Sequence, residues 1–300
     1  MRIHHAPAHL TNGWEEGNMR ELAGRVGVVT GAAGGIGYGI AQALADDGMR
    51  VVLADTDTGR LEEAAAMLRA DGAEVAAVPT DVRDAAAVRA LADAALAGFG
   101  RVDVVCNNAG VWTLNRQWET ELVDWQWVVD VNLWGVVHGV RTFVPLMLAQ
   151  PEGGHIVNTA SMGGLIGGAM TGPYGATKHA IVGLTKGLRA ELADTAVGVS
   201  LLCPGKVRSE MLDRVNARPV ADADGMPGDG GPTPSARDMI DAMRRSRAGA
   251  MSARESGEQV AAAIREDRFW VLPGADAHAP LVRAEFDELI GAFGSTPADG

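Results

Sequence analysis

The chain has 300 residues, of which 47% are hydrophobic and 21% are charged, proportions typical of a soluble globular protein. Its 38 acidic and 26 basic residues give a formal net charge of −12. A nucleic-acid-binding protein usually carries a basic face, so we expect neither nucleic acid nor an anionic membrane as a partner. Cys106 and Cys203 lie far apart in apolar runs. This favours free thiols in the cytoplasm over a disulfide framework.

The N-terminal segment 1–18 lacks the apolar stretch of a secretory signal, and we find no run of about 18 apolar residues that would span a membrane. His4, His5 and His9 could bind a metal ion, but a flexible extension is the interpretation we favour, with no metal site. We predict a single domain over 19–290, followed by a second flexible tail over 291–300.

Short β-branched segments alternate with Ala-rich helical stretches from Arg25 onward. The predicted strands are Arg25–Thr30, Arg50–Asp55, Glu74–Thr80, Val102–Asn107, His155–Ala160, Gly198–Cys203 and Phe269–Leu272. The predicted helices include Gly37–Asp47, Thr58–Ala70, Ala85–Gly98 and Val123–Leu148. Most strands are continuously apolar, as in a sheet covered on both faces. The alternation predicts an α/β fold of the Rossmann type, a three-layer α/β/α arrangement with a doubly wound parallel sheet of about seven strands.

One segment, Pro219–Pro234, breaks this alternation. It reads PVADADGMPGDGGPTP, and its Gly and Pro content favours a loop. Because it follows the sixth predicted strand, we predict a lid-like loop at 219–234 that covers a site. An idle surface insertion is the alternative.

The first predicted strand leads directly into a glycine-rich turn, TGAAGGIG, at Thr30–Gly37, and then into a helix. Glycines allow the backbone to approach a pyrophosphate closely, and the N–H groups of the following helix bind it. A glycine-rich turn alone is weak evidence, because glycine serves tight turns in general. After the first strand of a βαβ unit, it predicts a dinucleotide site.

Asp55 ends the second predicted strand, 24 residues after Gly31. A carboxylate at this place accepts hydrogen bonds from the adenosine ribose. It also repels a 2′-phosphate, by roughly 4 kcal/mol at about 4 Å and an effective dielectric constant near 20. Ala33 and Thr56 offer no compensating cation, and Arg60 is expected on the face of the next helix. The pattern therefore favours NAD over NADP.

A second group of residues comprises Asn132, Ser161, Tyr174 and Lys178. Tyr174 and Lys178 are four residues apart, so a helix would place them on one face. The pKa of a phenol is near 10, and lowering it towards neutrality takes about 3–4 kcal/mol, which a nearby ammonium and an oxidised nicotinamide can supply. Chance could place a Tyr and a Lys at this spacing, but the upstream glycine turn favours a catalytic pair.

In order and spacing, these motifs resemble the short-chain dehydrogenase/reductase family over Leu22–Leu272. The matching segments are Thr30–Gly37, Asp55, Asp81-Val82, NNAG at Asn107–Gly110, Asn132 in VNLWG, Ser161, the YxxxK pair Tyr174 and Lys178, and Pro204–Ser209. Ser209 stands where the family commonly has Thr, and its hydroxyl could still bind the nicotinamide carboxamide.

The resemblance implies a role for each matched position. Tyr174 would be the acid/base, and Ser161 would hydrogen-bond the substrate oxygen. Lys178 would bind the nicotinamide ribose and lower the pKa of Tyr174, and Asn132 would position a water in a proton relay. The implied cofactor-binding residues are Gly31, Ala33, Gly35, Ile36, Gly37, Asp55, Asp81, Val82, Asn108, Ala109, Gly110, Tyr174, Lys178, Pro204, Gly205, Val207 and Ser209.

The substrate side is expected next to these motifs. By family position, the candidate substrate residues are Trp112, Met162, Gly163, Met170 and Met211. The segments GGHIVNTAS, CPGKVRSE and IREDRFWVL are similar to a branch of bacterial dehydrogenases for bulky aryl alcohols, including those that oxidise the benzylic carbon of lignin-type dimers. That likeness favours a large hydrophobic or aromatic alcohol over a sugar.

The sequence thus predicts an oxidoreductase that transfers a hydride between NAD(H) and a secondary alcohol or ketone. A non-redox epimerase or dehydratase that retains bound NAD is the alternative. The expected partner is a small-molecule substrate. The helices through Asn132 and Tyr174 carry enough apolar residues to predict a homodimer or homotetramer. The resemblance implies the same, because family members pair these two helices across a twofold axis.

Overall fold

The computed structural model describes residues 19–217, 233–246 and 248–294. The strands are β1 Val26–Thr30, β2 Arg50–Asp55, β3 Val75–Pro79, β4 Val104–Asn107, β5 Gly154–Thr159, β6 Val197–Leu202 and β7 Trp270–Val271. The helices are α1 Gly35–Asp46, α2 Thr58–Ala70, α3 Ala85–Phe99, α4 Leu122–Val129, α5 Gly135–Ala149, α6 Gly172–Glu191, α7 Pro234–Arg245, α8 Ala253–Arg265 and α9 Ala279–Gly294. All seven predicted strands are present, and their bounds agree to within two residues.

The strands form one parallel sheet in the order β3-β2-β1-β4-β5-β6-β7. Neighbouring residues of β1 face opposite sides, with Val28 in the core under one helical layer and Val29 in the core under the other. The predicted doubly wound α/β fold is confirmed. From β1, the sheet extends to β2 and β3 on one side and to β4 and the later strands on the other. The connections on the two sides therefore run in opposite directions, which leaves a crevice at the carboxyl ends of β1 and β4.

The predicted helix Val123–Leu148 is not continuous. Between α4 and α5, residues Asp130–Trp134 form a π-helical turn that contains the fully buried Asn132. Such turns insert an extra residue into a helix and occur frequently at functional sites. Hydrophobic periodicity does not reveal a one-residue insertion in an otherwise apolar helix, so this break was not predicted.

By length and composition alone, the helical stretch Leu122–Ala149 could cross a membrane, and it is the one such stretch among the described residues. Phe143 and Met147 in this stretch are buried in the core. The core helices of globular proteins pass the same test.

The structure extends the predicted domain at its C-terminal end. Helix α9 continues to Gly294, four residues into the predicted tail 291–300. The predicted extension 1–18 and the rest of that tail lie outside the described residues. So does the predicted lid-like loop 219–234, apart from Thr233 and Pro234, which begin α7.

Candidate active site

The glycine turn lies at the carboxyl end of β1, where the crevice opens. Gly31 and Gly35 have φ values of 66° and 54°, which side chains rarely tolerate. A Cβ at Gly37 would collide with the carbonyl oxygen of Gly31. Gly35, Ile36 and Gly37 form the first turn of α1, whose free N–H groups suit an anion. Glycine is therefore required here by backbone geometry, as a cradle for a pyrophosphate needs.

Hydrogen bonds of the Thr30 and Asn108 side chains connect this turn to the NNAG segment. The Thr30 hydroxyl accepts hydrogen bonds from the N–H groups of Asn108 (2.9 Å) and Ala109 (3.1 Å). The Asn108 amide donates to the Thr30 carbonyl at 3.0 Å. A Cβ at Gly31 would lie 2.8 Å from Ala109 Cα, and one at Gly110 would lie 3.6 Å from Lys178 Nζ. Thr30 was not among the predicted site residues, although it directly precedes Gly31 in the glycine-rich turn.

Asp55 is held in place at the end of β2 by two backbone groups. One carboxylate oxygen accepts from the N–H of Ala33 at 3.2 Å, and the other accepts from the N–H of Asp57 at 3.1 Å. The carboxylate is therefore fixed beside the glycine turn, where a bound adenosine ribose would meet it.

Arg60 belongs to α2, as predicted, but its guanidinium reaches back to the glycine turn. Its Nη2 atom lies 2.9 Å from the position a Cβ would take at Gly34. The guanidinium pairs with Glu210, with Nη1–Oε2 and Nη2–Oε1 distances of 2.6 and 2.7 Å. The expected place of Arg60 on α2 is confirmed, and its side chain is long enough to reach back over the first residues of the helix to Gly34.

Asp81 and Val82, the expected adenine-binding pair, lie just after β3. Asp81 forms a bidentate ion pair with Arg83, with Nε–Oδ1 and Nη2–Oδ2 distances of 3.0 and 2.7 Å. Burial opposes ionisation of Asp81, but its hydrogen bonds to Arg83 outweigh this and lower its pKa. The Val82 side chain is buried against Gly135. The Val82 carbonyl oxygen lies 2.9 Å from Nδ1 of His138.

The turn after β6 is anchored from both sides. Gly205 donates to the carbonyl of Pro273 at 2.9 Å, and Pro204 accepts from the N–H of Met162 at 3.1 Å. Val207 forms an isolated bridge with Met251. The next residues return to the glycine turn, since Ser209 Cβ lies 3.3 Å from the Cβ position of Gly35. The candidate nicotinamide-binding turn is thus packed directly beside the pyrophosphate cradle.

Tyr174 lies in the first turn of α6, facing the end of β5. Burial raises the pKa of its phenol, and a hydrogen bond with Ser161 acts in the opposite direction. Ser161 also accepts from the N–H of Gly163 at 3.1 Å, which fixes its hydroxyl. The Lys178 ammonium lies 5.6 Å from the centre of the Tyr174 ring. In the protein alone, burial is the largest influence on the phenol pKa and raises it. The lowering expected from Lys178 together with an oxidised nicotinamide stays a prediction for the cofactor-bound protein.

Lys178 is 2% exposed and donates to the carbonyl of Thr159 at 2.8 Å. Burial lowers the pKa of its ammonium to about 8. An ammonium in this setting interacts strongly with any group that approaches it, because little water screens it. Thr159 is a second residue that the sequence analysis did not single out.

Asn132 connects the π-helical turn to the NNAG side of the crevice. Its amide forms two hydrogen bonds with the backbone of Val111, at 2.8 and 3.0 Å, and it donates to the Thr177 hydroxyl at 3.3 Å. These contacts use most of the polar capacity of the side chain. The Asn132 side chain therefore holds the backbone of the irregular segment that follows Gly110.

Comparisons with known proteins agree with this arrangement. A family model described as short chain dehydrogenase matches residues 25–219. The chain belongs to the short chain dehydrogenase family. It is accordingly an oxidoreductase, as the sequence motifs predicted.

Relatives of this dehydrogenase cover most of its length. It is 39% identical over 256 residues to a 1-deoxy-11-beta-hydroxypentalenate dehydrogenase of Streptomyces avermitilis, covering 85% of this chain and 86% of the relative. It is 35% identical to a C alpha-dehydrogenase of Sphingobium sp., covering 67% and 66% of the two chains. A short chain dehydrogenase/reductase from Burkholderia phymatum, crystallised with NAD, is 42% identical with a TM-score of 0.85, covering 93% and 98%.

Two of the five candidate substrate residues of the dehydrogenase contact Tyr174. The Trp112 ring lies 5.3 Å from the Tyr174 ring, centre to centre, with the two planes inclined by 38°. A Cβ at Gly163 would lie 3.6 Å from Ser161 Oγ and 3.7 Å from Tyr174 Cε1. The indole Nε1 of Trp112 is buried and has no hydrogen-bond partner among the described residues. Buried donors are normally satisfied, so this one is available to a ligand.

The three methionines lie further out. Met162 lines a cleft of about 420 Å³ with Leu165, Leu272 and residues of α9. Met170 has a φ of 65°, unusual for a residue with a side chain, and its carbonyl accepts from Asn115 at 3.1 Å. Met211 belongs to the 3₁₀ turn Glu210–Leu212. No described contact brings these three side chains to Tyr174.

Proposed function

We propose that this protein is an NAD-dependent dehydrogenase that interconverts a bulky, hydrophobic secondary alcohol and its ketone. The observation that carries the proposal is a continuous path of contacts from the glycine turn through Ala109 and Gly110 to Lys178. It joins a dinucleotide cradle to the Tyr174–Ser161–Lys178 group, in which Lys178 is buried, so that cofactor and substrate would meet beside Tyr174.

The residues fit a dinucleotide without rearrangement of the backbone. The cradle lacks side chains at Gly31, Gly35 and Gly37, where none could be accommodated without strain or collision. Asp55 has both carboxylate oxygens fixed beside the cradle. When bound, NAD supplies the acceptor for the hydride that leaves the alcohol carbon.

The chain itself handles the proton. The Tyr174 phenolate oxygen takes the proton of the alcohol hydroxyl during oxidation, and the resulting phenol returns it during reduction. The Ser161 hydroxyl, fixed by Gly163, donates to the same substrate oxygen. The Lys178 ammonium stabilises the phenolate and binds the nicotinamide ribose, and Asn132 positions the proton relay. Two observations support these roles: Ser161 hydrogen-bonds Tyr174, and the Lys178 ammonium lies 5.6 Å from the centre of the Tyr174 ring.

The Trp112 side chain supports a large substrate that carries a second oxygen. Its ring gives the approach to Tyr174 an aromatic wall, and its unpaired Nε1–H is a donor that an ether, hydroxyl or carbonyl oxygen could satisfy. The likeness to dehydrogenases for bulky aryl alcohols points the same way. We propose that Met162, Met170 and Met211 border the outer part of this substrate site.

Trp112→Phe tests this substrate class. The variant keeps an aromatic ring beside Tyr174 and removes one donor. We expect kcat/KM to fall about fivefold for an aryl alcohol with a second oxygen and to change little for its deoxy analogue, since one hydrogen bond contributes roughly 1 kcal/mol. Steady-state kinetics on the matched pair measures this. Equal losses on both substrates would show that Trp112 Nε1 does not bind the second oxygen.

The direct test of the proposed function is a panel of secondary alcohols and ketones, with the reduced cofactor followed by absorbance. We expect turnover with bulky aryl alcohols and NAD. No relative described above is named an epimerase or a dehydratase. Conversion of a substrate without net change in the cofactor would revive that alternative.

We further propose that the chain forms a homodimer or homotetramer in the cytoplasm. Trp134, at the end of the π-helical turn, and Leu148 of α5 are exposed. The large apolar side chains of α6 are mostly buried, so the expectation of exposed apolar surface there was wrong. Instead, an exposed apolar stripe runs along α9: Leu281, Phe286, Leu289, Ile290 and Phe293. Light scattering at micromolar concentration should give a mass of two or four chains, and a mass of one chain would contradict this.

The two cysteines support the proposed location. Cys106 and Cys203 are buried free thiols. Burial raises the pKa of Cys203 to about 12, so its thiol is protonated and unreactive at neutral pH.

A further inference from the structure

Four charged side chains beside the glycine turn form one ion-pair network, which we call the rim network: Asp57, Arg60, Glu210 and Arg214. Arg60 and Glu210 form its centre, with two N–O distances of 2.6 and 2.7 Å. Arg214 lies 3.7 Å from Glu210 and 3.6 Å from Asp57. Two cations and two anions make the network neutral overall.

The rim network joins two parts of the chain that are distant in sequence. Arg60 belongs to α2, on the β2 side of the glycine turn, and Glu210 follows β6, 150 residues later. Contact of Ser209 with the Gly35 position brings Glu210 to this rim. Arg60 Nη2 touches the Gly34 position, and the neighbouring Ala33 bonds to Asp55. Arg60 therefore lies at the adenosine-ribose end of the proposed cofactor site.

A free guanidinium at this place would change the choice of cofactor. Arginine binds phosphate through two parallel hydrogen bonds, and an arginine near the adenosine ribose is what accommodates a 2′-phosphate in dinucleotide-binding folds. In the structure, the two terminal nitrogens of Arg60 already bind the two carboxylate oxygens of Glu210. Asp55 repels a 2′-phosphate, but repulsion by Asp55 would be offset if Arg60 were released.

We propose that Glu210 determines cofactor selectivity: by holding Arg60 in a bidentate ion pair, it withholds the guanidinium from a 2′-phosphate. Selectivity for NAD then depends on two acidic residues. Asp55 acts directly on the ribose, and Glu210 acts through Arg60. Glu210 is a positioning residue in this account, because it contacts Arg60 and not the cofactor. The inference rests on the proposed NAD site.

The test measures dissociation constants for NAD and NADP by isothermal titration calorimetry, which does not depend on turnover. Glu210→Gln leaves the rim network with one net positive charge and a free Arg60. We expect it to bind NADP about tenfold more tightly than wild type does, while the constant for NAD changes by less than about twofold. The gain should shrink at high ionic strength, because the site is partly exposed.

Three further variants separate this account from a general effect of charge or stability. Arg60→Gln combined with Glu210→Gln should lose the gain. Arg214→Gln removes a neighbouring cation but leaves the Arg60–Glu210 pair, so it should not improve NADP binding. Glu258→Gln breaks an exposed ion pair with Arg254 elsewhere and should leave both constants unchanged.

Two results would overturn the assignment of Glu210. One is normal NAD binding by Glu210→Gln with no gain for NADP. The other is a gain that persists when Arg60 is also replaced. A wild-type protein that binds neither NAD nor NADP would instead contradict the proposed function, so the two failures are distinguishable.

Discussion

Replacing Tyr174 with Phe is expected to lower kcat by about 10²–10⁴-fold, the usual contribution of a general acid–base group. The variant loses only the hydroxyl that exchanges a proton with the substrate oxygen. The ring remains packed against Trp112, and the glycine turn is untouched. The dissociation constant for NAD should therefore stay nearly unchanged, which stopped-flow and calorimetric measurements can check separately.

The chain offers a matched control, since its other tyrosine is Tyr38 on α1. Tyr38→Phe also removes a phenol hydroxyl, but one that is not part of the group formed by Ser161, Tyr174 and Lys178. It should therefore leave kcat unchanged. If Tyr174→Phe kept a tenth of the wild-type kcat, another group would have to carry the proton.

Lys178→Met is expected to abolish most activity and to raise the stability of the protein at neutral pH. The ammonium is fully buried, and burial lowers its pKa from the ordinary 10.5 to about 8. That difference corresponds to about 3 kcal/mol of unfolding free energy. Part of the gain is lost because the Thr159 carbonyl loses its donor, at about 1 kcal/mol. We therefore expect a net stabilisation of about 1–3 kcal/mol at pH 7.

The pH dependence identifies the cause. The unfolded chain keeps this proton up to about pH 10.5, whereas the folded protein releases it near pH 8. The cost of burying the ammonium is thus present in full below pH 8 and disappears as pH rises to 10.5. The stability of wild type should approach that of Lys178→Met across this window.

Urea unfolding of both proteins at pH 7 and pH 10, at matched concentrations, measures the difference. Lys186→Met is the control, because Lys186 is an exposed residue of the same helix. Its stability should hardly differ from wild type at either pH. A Lys178→Met variant less stable than wild type at pH 7 would show that the contacts of the Lys178 ammonium in the wild type outweigh the cost of burying it. Unchanged NAD affinity would contradict its role at the ribose.

Much of the fold and of the candidate site could be predicted because the responsible residues are adjacent in sequence. The continuously apolar runs located all seven strands. The glycines at 31, 35 and 37 mark a tight turn, and the spacing of Tyr174 and Lys178 places both on one face of a helix. Both features depend on residues close together in sequence, so the sequence alone predicts them.

The features that sequence missed depend on long-range contacts. The π-helical turn at Asn132 is fixed by bonds to Val111, 21 residues away. The pairing of Arg60 with Glu210 spans 150 residues, and no local pattern encodes it. The burial that raises the pKa of the Tyr174 phenol in the protein alone also arises only in the finished fold.

The most direct test of the central claim is a stoichiometric one. A bulky secondary aryl alcohol in excess is mixed with purified protein and a limiting amount of NAD, and both the ketone and the reduced cofactor are quantified. We predict one ketone for each NAD reduced by wild type, and at most about a hundredth of either product from Tyr174→Phe in the initial phase of the reaction. Substrate conversion without reduced cofactor, or equal product formation by the Tyr174→Phe variant, would contradict the account.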